Sequence, residues 1–236
     1  MNTASRSRSL ALAMAAAGLA LMTACSALKP TPVPPPAFFA LEGGPAGAAP
    51  APRAVPTRSM SAAPTLLISP PQAGAGFDSQ RIIYVRQAHQ LEYFAHSEWV
   101  DTPARMLAPL MVAALDRAGS FRAVVATPTA ANADLRLDTE LVRLQHEFDV
   151  APSRVRLTLR ATLTDSATRQ VLGQVDLDTR ADAASQDAYG GVVAANHATW
   201  AMLQTLTVFC DQVVEQWQAR DAGAGAGAGK RAVGRL

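Results

Sequence analysis

A strict two-residue alternation constrains this chain more than any other feature. Val155, Leu157, Leu159, Ala161 and Leu163 are apolar, and Arg156, Thr158, Arg160, Thr162 and Thr164 stand between and after them. Side chains of an extended strand point alternately to its two faces, so this stretch puts one face in a core and the other in water, the pattern of an antiparallel sheet. The same period runs through Leu135, Leu137, Thr139 and Leu141 upstream and through Val171, Gly173, Val175, Leu177 and Thr179 downstream. With Asp165 to Arg169 as a polar turn, the three segments predict a meander. After Leu141 the alternation resumes one residue out of step, at Val142, Leu144, His146 and Phe148, which predicts a bulge near Leu141.

A sheet with one apolar face needs a cover, and two segments have the period of helices. Thr102 and Pro103 read as an N-cap followed by proline at the first helical position, where a missing N–H costs nothing. From there Leu107, Leu110, Met111, Ala114 and Leu115 share one side, Arg105 and Asp116 mark the wet side, and Gly119 ends the helix after Ala118. The second helix runs from about Tyr189 to Arg220, approached by Gly190 and Gly191, with Val192, Ala195, Thr199, Leu203, Leu206, Cys210, Val213 and Trp217 on one stripe. Short β-branched runs at Thr65–Ser69, Arg81–Val85 and Phe121–Ala126 read as further strands, and His89–Trp99 as an extended segment. The prediction is an α+β fold: an antiparallel or mixed β-sheet covered by two main helices, in a single domain over residues 64–220.

The ends differ from the middle. Arg6 and Arg8 precede an uncharged run from Leu10 to Met22, long enough for a secretory signal and short for a membrane span. The run closes on Leu21, Met22, Thr23, Ala24 and Cys25, and small residues before a cysteine are similar to the lipobox of bacterial lipoproteins. Residues 1–24 are then a signal peptide and Cys25 is the lipid-attachment residue; the competing reading is a plain secretory signal with a structural Cys25. Ser26 follows, where lipoproteins kept at the inner membrane carry Asp, so the resemblance implies the periplasmic face of the outer membrane. Twelve of the 16 prolines fall between Pro30 and Pro71, and proline holds a chain extended, so residues 25–63 read as a tether, with a possible short strand at 38–41. Residues 221–236, glycine–alanine repeats closed by Lys230, Arg231 and Arg235, read as a disordered basic tail.

The charge balance narrows the function. The chain has 21 basic and 19 acidic residues, and loss of Arg6 and Arg8 with the signal leaves the two equal, so no excess of cation exists to bind nucleic acid. Two cysteines, Cys25 and Cys210, make at most one disulfide, and Cys210 falls on an apolar stripe, where a thiol packs as a small hydrophobe. His89, His96, His146 and His197 have no metal-ligand spacing, and neither a nucleophile elbow nor a phosphate-binding glycine loop is present. Asp176 and Asp178 share a strand face and read as solubilising carboxylates. The expectation is a protein without cofactor, metal or catalytic residues. One cluster remains as a candidate partner surface: Arg81, Tyr84, Arg86, Tyr93 and Trp99, with Phe94 beside them, since arginine and aromatic residues dominate interface hot spots. Ordinary core and edge packing is the other reading.

Thr65 to Pro71, then Gly76, Phe77, Asp78, Ser79, Arg81, Ile82, Tyr84 and Arg86, then Glu92, Tyr93, Phe94, Trp99, Pro103 and Leu107, carry a family resemblance. With Gly119, Phe121, the alternating strands and Gly190–Gly191, the chain resembles the ABC-type transport auxiliary lipoproteins, relatives of paraquat-inducible protein C, over about residues 38–217. The resemblance implies a non-enzymatic, outer-membrane partner of a lipid transporter whose substrate-binding subunit carries mammalian-cell-entry (MCE) domains. Homo-oligomers are compatible with such a role. The alternative is a periplasmic carrier that holds a lipid in an apolar groove between sheet and helices; a closed core argues for docking and an open apolar cavity for carrying.

Overall fold

The structure is a computed structural model that describes residues 35–43 and 63–233, with side chains through Arg220. The signal peptide, Cys25 and most of the proline-rich segment lie outside the described residues. Within them nine strands form one mixed sheet, and two helices accompany it.

The meander is its spine. β7 (Leu135–Glu147), β8 (Arg154–Asp165) and β9 (Val171–Asp182) pair antiparallel in sequence order. The pairing of β7 with β8 slips between Leu141 and Arg143, where the alternation changes phase. The slip lets Leu135, Leu137 and Leu141 before it, and Leu144 and His146 after it, all reach the interior. Without it, every residue beyond Leu141 would face the wrong side.

The other edge of β7 is stitched by three short parallel strands. β2 (Thr65–Ile68) takes Leu135–Leu137, β3 (Gln72–Ala73) takes Glu140–Leu141, and β4 (Arg81–Val85) takes His146–Glu147. Pro70 and Pro71 have no N–H to donate, so pairing lapses between β2 and β3. β6 (Ala123–Ala126) pairs parallel with β2, and β5 (Glu92–Trp99) pairs antiparallel with β4. The extended segment therefore starts at Glu92: His89 has φ 70° and belongs to the turn before it. Phe121 also stands outside its expected strand, yet it is fully buried.

β1 (Ala37–Phe39) runs parallel to β5, and Leu41 just beyond it is buried in the core. Residues 36–43 are thus part of the domain and not of the tether, and the domain begins upstream of residue 64. The proline-rich stretch is divided, one part before β1 and the other between β1 and β2.

α1 (Pro103–Ala118) starts and stops where expected, with Thr102 at the N-cap and Gly119 in the left-handed conformation at φ 78° that glycine tolerates best. Thr102 caps without its hydroxyl; its own N–H donates to Asp101 Oδ1 at 2.8 Å. α2 (Ala188–Val233) continues over most of the glycine–alanine segment for which the sequence predicts disorder. Leu107, Met111 and Leu115 of α1, Met202, Leu206, Cys210 and Val214 of α2, and Leu157, Leu159 and Leu163 of β8 belong to one core, all at zero exposure. Each such leucine contributes about 1.5–3 kcal/mol by leaving water.

Candidate interaction surface

The β4–β5 hairpin brings four of the five candidate residues to the surface and takes the fifth away. Pairing puts Tyr84 opposite Glu92 and Ile83 opposite Tyr93. Glu92, which sequence reasoning left out of the cluster, organises it. Its carboxylate accepts from the Tyr84 hydroxyl at 3.1 Å and from Arg86 Nε at 3.0 Å, and a second Arg86 nitrogen completes a two-pronged ion pair. Hydrogen bonding to Arg86 holds the Glu92 pKa below its usual value and raises that of Arg86. Loss of hydration, and then the bond to Glu92, push Tyr84 up. The guanidinium of Arg81 lies 4.0 Å from the centre of the Tyr93 ring, and that of Arg86 lies 5.4 Å from the Tyr84 ring.

Tyr93 is 51% exposed, whereas Trp99 is 3% exposed and belongs to the core. Trp99 is therefore removed from the partner surface: β5 ends there and turns its last side chain inward. What remains is two arginine–aromatic groupings on opposite faces of the hairpin, Arg81 with Tyr93 on one and Tyr84 with Arg86 and Glu92 on the other, each with its cation already stacked or paired.

Below the hairpin, Tyr84 packs on Phe94 at 4.7 Å and on Phe148 at 5.6 Å, and Phe148 stacks on His146 at 4.1 Å. His146 Nε2 and Ser153 Oγ share a hydrogen bond of 3.0 Å, a serine–histidine pair that the sequence did not reveal. Both residues are 1% exposed. Asp187, whose charge reaches His146, uses Oδ1 to accept from the Gly190 N–H at 2.7 Å and from Ser185 Oγ at 2.8 Å, which fixes the first turn of α2. Among the described residues the imidazole Nδ1 has no hydrogen-bond partner, and it faces Gly191, where a Cβ would sit 2.6 Å from it. Burial pushes the His146 pKa down. Buried beside the Phe94 and Phe148 rings, the serine–histidine pair packs in the interior, where a substrate carbonyl has no route to the hydroxyl.

The sheet face away from the helices is a charge ladder. Arg156 clasps Asp178 at 2.8 and 3.0 Å, Arg160 bonds Asp176 at 2.8 Å and Glu140 at 3.2 Å, and Arg154 bonds Glu147 at 2.9 Å. Asp176 and Asp178 are thus held by arginines across the strands and are not paired with each other. Where β2 and β3 part at Pro70–Pro71, a cleft of about 560 Å³ opens on this face, lined by Ser69, Gln72, Arg136, Asp138, Glu140 and Arg160 among others. Such walls suit a polar occupant and not an acyl chain. At the start of α2 a smaller groove, about 170 Å³, lies between Ala40, Glu42, Tyr189 and Val193.

Cys210 is buried, free, and pushed up to about 12 by burial, the inert thiol expected from its stripe. Among the described residues no group of acidic, histidine or cysteine side chains is arranged to hold a metal ion.

Among solved structures, a Xanthomonas campestris protein assigned to DUF330 has the same fold, at TM-score 0.64 and 18% identity, covering 78% of this chain and 98% of that one. An uncharacterised protein superposes at TM-score 0.56 and 10% identity over 75% of this chain and 99% of its own. No curated protein sequence matches the chain. A family model does, over residues 48–205, from β2 through the first turns of α2, taking in the hairpin surface and the sealed serine–histidine pair. The chain belongs to the family of ABC-type transport auxiliary lipoprotein components.

Proposed function

We propose that this protein is a non-catalytic docking component of an ABC transport system that moves envelope lipids, anchored through lipidated Cys25 to the periplasmic face of the outer membrane. Its partner is the transporter's MCE-domain substrate-binding subunit, met through the β4–β5 hairpin that carries Arg81, Tyr84, Arg86 and Tyr93. Docking needs no chemistry. A lipid anchor confines the domain to one membrane and raises its effective concentration at a partner that reaches there.

The observation that carries the reading over a lipid carrier is the filled interface between sheet and helices. Leu107, Met111, Leu157, Leu159 and Leu206 meet there at zero exposure. Pockets that enclose small ligands measure about 300–1,000 Å³ and are mainly apolar. The roomier cleft is lined by charged side chains, and the apolar groove holds only about 170 Å³.

The test is a pull-down from solubilised envelopes with the native lipoprotein and with Cys25→Ala. Docking predicts an MCE-domain chain with the native protein, reduced or lost with the variant. Bound phospholipid in both, with no transporter chain in either, would establish the carrier instead.

A further inference from the structure

Between Asp187 and Asp211 the chain has no Asp, Glu, Lys or Arg. These residues form the first part of α2, about 35 Å long at 1.5 Å per residue. One side of this stretch is core. The other faces outward, and a helix side that faces water normally carries charge. Here it carries Tyr189, Val193, His197, Trp200, Gln204 and Val208, within an arc of about 100°. Tyr189 is 63% exposed, Trp200 50% and Val208 53%.

The chain on the anchor side runs to this same stretch. Asn196 Oδ1 accepts from the backbone N–H of Glu42 at 2.6 Å and of Gly43 at 3.3 Å, and its Nδ2 donates to the carbonyls of Ala40 at 3.2 Å and Val192 at 3.1 Å. The Phe39 ring lies 6.5 Å from that of Tyr189. Residues 39–43 are thereby strapped to the N-terminal half of α2. Counting back, the chain from Cys25 to Pro36 spans about 40 Å at most, at about 3.3–3.6 Å per residue.

We propose that the uncharged outer side of α2 is a bilayer-contact surface, with Tyr189, Trp200 and Val208 seated in the headgroup–acyl boundary. The proposal rests on Cys25 being the lipid-attachment residue. Tyrosine and tryptophan favour that boundary, where one end of the ring is apolar and the other wet. Helices that bind membranes unaided carry Lys or Arg for anionic lipid. A chain already held by acyl groups needs no such attraction, and the stripe has only to orient the domain. Among the described residues no helix is long and apolar enough to cross a membrane, so the contact is with its surface. In this pose the charge ladder and its polar cleft face away from the bilayer.

The test uses the full-length acylated protein in vesicles of phosphatidylethanolamine and phosphatidylglycerol, with and without bromine on the lipid acyl chains, and reads flotation and tryptophan emission together. Trp99 is in the core and Trp217 donates to Asp165 at 2.9 Å, so the difference between wild type and Trp200→Phe isolates Trp200. The proposal predicts flotation of both proteins and bromolipid quenching of wild type that is lost in Trp200→Phe. Flotation without quenching of Trp200 overturns the contact and leaves the anchor standing. Emission that ignores bromolipid and shifts to the blue with rising protein concentration assigns the face to a second copy and overturns the proposal. Failure of wild type to float removes the anchor and the contact with it.

Discussion

The two helices lie on the same face of one sheet, yet their outward sides are opposites. α1 carries Arg105, Asp116 and Arg117 toward solvent within sixteen residues. Arg105 is bound back to Asp101 at 3.2 Å. α2 carries no Asp, Glu, Lys or Arg between Asp187 and Asp211. Their inward sides are alike, close-packed Leu, Ala and Met at or near zero exposure. Two helices with the same job toward the core therefore do different jobs away from it: α1 is solvated, and α2 is built to be covered.

The comparison breaks most readily inside α2 itself. Leu206→Ala, at zero exposure, should cost about 2–5 kcal/mol in urea unfolding, whereas Trp200→Ala on the outward side should stay within about 0.5 kcal/mol. Equal losses at the two positions would mean that Trp200 serves the fold and not an encounter.

Gly191 sharpens the boundary between helix and sheet. A Cβ there meets His146 Nδ1 at 2.6 Å, so Gly191→Ala should cost about 1–3 kcal/mol by overpacking. The same substitution in a His146→Ala background should cost less, as a double-mutant cycle would measure.

A smaller effect is expected from pH. His146 has its folded pKa below the ordinary 6.5, because burial disfavours the imidazolium. The unfolded chain then takes up the proton first, so this contribution to stability is full above pH 6.5 and declines as the pH falls below it. His146→Gln should flatten that slope in chemical denaturation series. α1 has no histidine to respond, so the change should centre on the first turn of α2, where hydrogen exchange can follow it.

The least effect belongs to the charge ladder. Arg156→Ala breaks the clasp on Asp178, yet partly exposed ion pairs contribute only about 0–1 kcal/mol. A larger loss by thermal denaturation would show that the ladder acts as one network.

Much of this was legible in the sequence where periodicity alone decides. The limits of α1 follow from Thr102, Pro103 and Gly119, and the bulge beyond Leu141 from one slip in alternation. Alternation says which face a residue takes and is silent on which strand lies beside it, so the parallel pairing of β2, β3 and β4 along one edge of β7 was hidden. The serine–histidine pair escaped for the same reason: His146 and Ser153 meet only because a hairpin folds β8 back on β7. Trp99 shows the limit of composition, since an aromatic among arginines is equally at home in an interface and in a core. The place of β1 was obscured by the long proline-rich stretch between Leu41 and Thr65, which reads as a linker whether or not a strand precedes it.

The most direct test of the account is site-specific photo-crosslinking in intact envelopes, with the photoreactive residue placed at Tyr93 on the hairpin in one strain and at Trp200 on α2 in another. The account predicts a transporter chain captured from Tyr93 and lipid, with no protein, captured from Trp200. A protein adduct at Trp200 together with none at Tyr93 would contradict it, for the covered side of α2 would then be the partner surface and the hairpin a solvated edge.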